Sequence, residues 1–179
     1  RTEFSILEVN KDLGLQFEVT YFGLPNANIA ALVRQVKVTN LRNEEVSFEL
    51  VDGLAKLFPF KVGNGDFKAI GNLLRSWMEV YSLENNVGFY RMRSSSSDSA
   101  EVVEVVQGNF YVSSFNGELV KPIVDSSLIF GYDNSKRYAR AFENNSLKEL
   151  QDKEQVTANK IPVGFTGVHV TLAKGETQR

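Results

Sequence analysis

The chain has 179 residues, 42% hydrophobic and 23% charged, with a formal net charge of -2. That size and balance suit one globular domain with a sizeable core, and the near-neutral charge gives neither a broad basic footprint for nucleic acid nor a strongly acidic tail. There is no cysteine, which rules out a disulfide framework, a thiolate zinc site and a cysteine nucleophile, and no apolar run approaches the roughly 20 residues of a membrane span.

The 13 Phe and 6 Tyr lean the composition towards sheet. Residues Thr2 to Val9 and Leu13 to Phe22 read as an opening strand pair, with Asn10-Lys11-Asp12 and Gly14 at the turn. Gly23-Leu24-Pro25-Asn26 breaks the second strand. The stretch from Asn28 to Phe60 then reads as a hairpin. Leu32, Val36 and Val38 share one face before a polar turn, Asn40 to Glu45, and Val46, Phe48 and Leu50 alternate with Ser47, Glu49 and Val51 after it. The Asp52-Gly53 step is expected to punctuate that strand and Phe58-Pro59-Phe60 to stop it.

Beyond Phe60 the period changes. Phe67, Ile70, Leu73, Leu74 and Trp77 recur at helical spacing, with Asp66 as a candidate N-cap. This helix is expected to cover one end or edge of the sheet. Met78 to Leu83 and Val87 to Arg93 return to strand around Glu84-Asn85-Asn86, and Ser94 to Ser99 reads as a polar loop. Glu101 to Val106 and Asn109 to Phe115 are further expected strands around a bend at Gln107-Gly108. Asn116-Gly117 is a strong turn signal, and Ile123 to Tyr132 is expected to be a strand. Ser146 and Glu149 form the sequence of a capping box for a short helix over Leu147 to Lys153. Residues 154 to 161 read as a loop, Val163 to Ala173 as a closing strand, and Lys174 to Arg179 as frayed. Many strands, few helices and no strand–helix alternation predict an all-β fold with one or two short helices, an antiparallel β-sandwich over residues 1–179.

Several short motifs in order carry a family resemblance. Val36-Lys37-Val38-Thr39-Asn40-Leu41, Glu49-Leu50-Val51-Asp52-Gly53-Leu54 and Phe58-Pro59-Phe60 are followed by Phe89-Tyr90-Arg91, Gly108-Asn109-Phe110-Tyr111 and the run Asp125 to Gly131. Over roughly Asn28 to Asp133 the sequence resembles the N-terminal β-sandwich of the cellobiose-phosphorylase-like, glycoside hydrolase family 94-like enzymes. The resemblance implies a galactose-mutarotase-like supersandwich that packs on a separate (α/α)6 barrel, and it is the barrel that carries catalysis in that family. Ala55 stands where the family pattern often has Pro, and no helical run here is long enough to be the barrel. The resemblance therefore transfers no catalytic residue. It implies an accessory domain of a glycoside phosphorylase or glycoside hydrolase, and Arg1 in place of an initiator Met leads us to expect a piece of a longer chain or a start removed by processing. A soluble setting is expected, and the sequence leaves the compartment open between cytoplasm and periplasm.

Candidate chemistry is sparse. His169 is the sole histidine, on the wet face of the last strand, so neither a metal site nor a Ser-His-Asp triad is expected. Gly63-Asn64-Gly65 is too short for a phosphate loop, and no cofactor is implied. Asn144-Asn145-Ser146 fits a glycosylation sequon. Glycoside cleavage needs two facing carboxylates. Asp52, Asp98, Glu101, Glu104, Asp125 and Asp133 lie near turns or strand ends, with Asp125 expected to hold a structural hydrogen bond. Adjacent aromatics such as Phe89-Tyr90 and Phe110-Tyr111 place one ring inside and one outside. Trp77, Tyr90, Tyr111 and Asp125 are the residues expected to contact carbohydrate or a neighbouring domain. The expected partners are the catalytic barrel, an oligosaccharide and a second copy in a homodimer. A stand-alone carbohydrate-binding module and a small mutarotase-type epimerase are the rival readings.

Overall fold

The computed structural model describes residues 3–94 and 105–179. In chain order its elements are β1 (Glu3–Asn10), β2 (Leu15–Gly23), β3 (Leu32–Asn40), β4 (Val46–Leu54), α1 (Asn64–Trp77), β5 (Met78–Tyr81), a 3-10 turn (Leu83–Asn85), β6 (Val87–Met92), β7 (Gly108–Val112), β8 (Ser114–Phe115), β9 (Glu118–Leu119), α2 (Ser127–Phe130), α3 (Arg140–Asn144), α4 (Leu147–Gln151), β10 (Gly164–Leu172) and β11 (Thr177–Gln178). The fold is all-β and antiparallel, sandwich-like in class, with short helices, as the sequence pattern predicts. The chain forms two compact units, residues 1–48 with 169–179 and residues 49–168.

The first unit is a sheet ordered β1-β2-β3-β11. β1 and β2 run antiparallel in unbroken register from Glu3↔Phe22 to Asn10↔Leu15, and β2 and β3 do so from Leu15↔Asn40 to Gly23↔Leu32. One face is apolar, built from Phe4, Ile6, Phe17, Val19, Val36 and Val38. The other carries the Ser5–Thr20 hydroxyl pair at 2.9 Å and the Lys37–Glu18 pair at 3.3 Å. Asn40 is buried at the end of β3, where a polar side chain must be fully bonded. Its amide donates to the carbonyls of Glu44, Leu172 and Ala173 at 2.8–3.1 Å, and its oxygen accepts from the Arg42 amide at 2.9 Å. The Val-Thr-Asn-Leu motif thus closes this sheet rather than serving chemistry. The tail expected to fray forms β11 instead, pairing Thr177 with Thr39, because the β3 edge offers it unpaired backbone groups. Ser47 bonds His169 Nε2 at 2.8 Å and the Thr171 hydroxyl at 2.9 Å on the exposed face.

The second unit holds the sheet ordered β5-β6-β7. Leu74 of α1, Met78 and Met92 form one buried cluster with Phe58, Val62, Phe67 and Trp77 packed against it. The helix therefore covers this sheet, as expected, but only with part of its predicted stripe. A non-helical residue at Ile70 kinks it, which leaves Ile70 and Leu73 exposed. Its N-cap is Gly63; Asp66 sits three residues on and accepts from the Gly63 amide at 3.0 Å. Tyr90, Val80 and Val124 make a second cluster, and Ile123, Leu128, Ile129, Phe130, Leu147, Val163 and Phe165 a third.

Two expectations change here, and a third falls largely outside the described residues. The run Ile123 to Tyr132 is not a strand. Only Ile123 bridges, to Phe165, and Ser127–Phe130 turns into α2. Asp125 accepts from the amide and hydroxyl of Ser127 at 3.0 and 2.7 Å, which bends the chain, and the apolar residues are buried on all sides instead of alternating. Gly53 lies within β4 rather than in a turn. At φ +150° an added Cβ would sit 2.0 Å from the Gly164 carbonyl, so only glycine permits this backbone approach. The expected strand over Glu101 to Val106 and the loop over Ser94 to Ser99 fall largely outside the described residues; Val105 and Val106 are not in strand. By contrast the Ser146–Glu149 capping box forms as read, with Leu147 and Leu150 buried behind it.

Candidate functional site

Strand alternation in β5, β6 and β7 decides which side chains this sheet presents. Met78 and Val80 face Met92 and Tyr90 across the register, and all four are buried. The opposite face carries Glu79, Tyr81, Phe89, Arg91, Phe110 and Val112. Phe89 and Phe110 are direct cross-strand partners with ring centroids 4.9 Å apart. The Phe89 ring lies over Gly108, where an added Cβ would come within 2.6 Å of it. Aromatic cross-strand pairs of this kind add to sheet stability, yet Phe110 remains 60% exposed and neighbouring Val106 69%. With Phe60 these residues line an open, shallow depression of about 380 Å³.

A polar cluster flanks the depression. Glu79 is nearly buried and must be neutralised. Arg91 Nε lies 3.2 Å and Arg93 Nε 3.8 Å from its carboxylate, and Tyr81 donates its hydroxyl to the same group. Arg91 also donates to the Tyr81 hydroxyl at 2.9 Å and stacks 4.4 Å over that ring. Burial pushes the Tyr81 phenol up, and its bond to Glu79 pushes the same way. The hydrogen bond with Tyr81 raises Arg91, which keeps its charge.

Asp125 is the second buried carboxylate, 2% exposed. One oxygen accepts from Ser127 and from Lys160 Nζ at 3.1 Å, the other from the Val156 amide at 3.0 Å. Gln155 completes the knot, accepting from the Val124 amide and donating to the Pro122 carbonyl. Burial alone raises the Asp125 carboxyl, but the hydrogen bonds from Ser127, Val156 and Lys160 outweigh it and hold the group below its ordinary value. Both buried carboxylates among the described residues thus spend their lone pairs on structural donors, which leaves neither poised to move a proton for a substrate. Among the described residues no group of three His, Asp or Glu side chains could hold a metal ion.

Of the four residues expected to make outward contacts, the structure gives none a fully exposed surface. Tyr90 is fully buried, its hydroxyl donating to the Val163 carbonyl at 2.8 Å and its phenol pushed up by burial. Tyr111 is half-buried, its ring against Gly164 and its hydroxyl 2.8 Å from that of Thr166. Trp77 packs on the Leu74–Met78–Met92 cluster, and Asp125 is enclosed. The division of each aromatic pair between inside and outside is real, but the outward members are Phe89 and Phe110. The signal was present in the sequence: Arg91 lies two residues from Phe89 and so marks its face as the wet one, whereas Met92 marks the face of Tyr90 as the dry one.

No protein-family model matches this sequence, and the comparison with curated proteins gives no match.

Proposed function

We propose that this chain is a non-catalytic accessory β domain of a glycoside phosphorylase- or glycoside hydrolase-like enzyme. It docks on a separate (α/α)6 catalytic barrel through the outer face of β5, β6 and β7. The observation that carries this reading is the composition of that face. Its centre is apolar and aromatic, with Phe110, Val106 and Phe60 exposed, and its flank is a set of charges already paired through Arg91 and Glu79. An exposed aromatic centre beside a satisfied polar rim is the anatomy of a surface that a protein partner desolvates. The ordered motifs that resemble the family agree with a scaffold role, since Asn40, Gly53 and Tyr90 each have a structural task.

The native mass in source cells tests the proposal. An antibody against this chain should detect a product far larger than 20.1 kDa, and the purified chain should not turn over disaccharides with or without phosphate. A native product near 20.1 kDa, or turnover by the clean chain, refutes it. The exposed face of Phe110, in a tilted pair with Phe89, also suits the face of a sugar ring, which favours a carbohydrate-binding module as the second reading. Saturable amide shifts at Phe60, Phe89 and Phe110 during an oligosaccharide titration would move that reading to first place.

A further inference from the structure

The first unit ends its sheet on a strand that has no partner on one side. β1 pairs with β2, and among the described residues nothing pairs with its outer edge. Folded proteins protect such edges with charged side chains, lysine above all, with proline or with a bulge. Residues 3–10 contain no lysine or proline, carry charge only at Glu3 and Glu8, and keep a flush register with β2 over eight pairs. Every residue from Glu3 to Val9 is exposed, including Phe4 and Leu7 at 63% each. The edge is also sided. Phe4, Ile6 and Glu8 continue the apolar face, opposite Tyr21, Val19 and Phe17, whereas Ser5 and Leu7 lie opposite Thr20 and Glu18 on the polar face.

We infer that the outer edge of β1 is a strand-addition site for an extended segment of another polypeptide carrying a basic residue followed by apolar residues two and four positions later. In antiparallel pairing that segment sets Lys or Arg against Glu8, then apolar side chains against Ile6 and Phe4. Main-chain hydrogen bonds along the edge supply affinity, and the alternate side chains supply register. Charge selects this occupant over a second copy of the chain. Glu8 has no partner among the described residues, and a second β1 would add two more carboxylates and no cation. Opposite charges facing across a strand pair stabilise it, and like charges oppose it.

A peptide of sequence RQVKVTN is a suitable probe, since its arginine and two valines stand at the required spacing. Titrated into the full chain, it should give saturable amide shifts confined to residues 3–10. Glu8→Lys should weaken binding about fivefold or more, consistent with losing one cross-strand charge pair. Replacing the peptide's arginine by glutamate should then restore affinity for the Glu8→Lys chain. Glu8 is exposed, so the variant keeps its fold. No saturable shift up to the peptide's solubility limit, shifts outside residues 3–10, or equal affinity for both chains overturns the inference. So does sedimentation showing that the chain alone dimerises through β1.

Discussion

Replacing Asp125 by asparagine keeps the shape of the side chain and changes only its hydrogen-bonding capacity. The amide oxygen can still accept from Ser127, but the amide nitrogen must then face the Val156 N–H, donor against donor. Leaving that buried amide unbonded costs about 1–3 kcal/mol. The ion pair with Lys160, whose side chain is partly exposed, contributes about 0.5–1 kcal/mol more. The expected loss is therefore about 3 kcal/mol at neutral pH. With an m value of about 1.5 kcal/mol/M, the urea midpoint falls by about 2 M. Trp77 is the only tryptophan and lies in the same compact unit as Asp125, so its fluorescence reports the transition. The sign of the pH dependence follows from the lowered Asp125 carboxyl. Its folded value lies below its unfolded value, so its stabilisation is present above the unfolded value and is lost as pH falls through the folded one. The gap between the two proteins should be widest near neutrality and narrow in acid. A midpoint shift under about 0.5 M, or a gap that grows in acid, would refute the account of Asp125 as a structural knot.

Gly53→Ala should cost about 3 kcal/mol or more, because its Cβ cannot share space with the Gly164 carbonyl; a urea midpoint close to that of the parent chain contradicts the close approach. Tyr90→Phe should lose about 1–2 kcal/mol by stranding the Val163 carbonyl. With the Tyr90 phenol raised in the fold, its contribution is present below the ordinary tyrosine value and lost as pH rises, so the variant should show a flatter alkaline limb in an unfolding-versus-pH series. Phe110→Lys should cost the isolated chain only about 1 kcal/mol, the loss of its cross-strand pair with Phe89, since the ring is otherwise largely exposed. On the proposed reading, the same change in the full-length enzyme should weaken docking on the barrel, read as earlier proteolytic separation of the two parts. Equal protease sensitivity of both proteins would count against the proposed docking face.

Local chemistry is what the sequence by itself determined. Alternation placed β1, β2, β3 and β10 to within a few residues, and the capping box at Ser146 and Glu149 located α4. Those signals are short-range, since a strand's side-chain period and a helix's first turn depend on neighbours only a few residues away. Asp125 was legible as a buried group in need of partners, but not its partners, which come from Val156 and Lys160, 31 and 35 residues along the chain.

Arg91 and Met92 mark the wet and dry faces of β6 in the sequence, but only the tertiary structure decided what covers the dry side, where α1 packs against Met92 and Met78. It also decided that Gly53 is a point of backbone contact and not a turn, that the run after Ile123 leaves the sheet, and that residues 177–178 join it. Each of these depends on a backbone or side chain brought close by the fold from far along the sequence, and a reading of local periodicity contains no term for that contact.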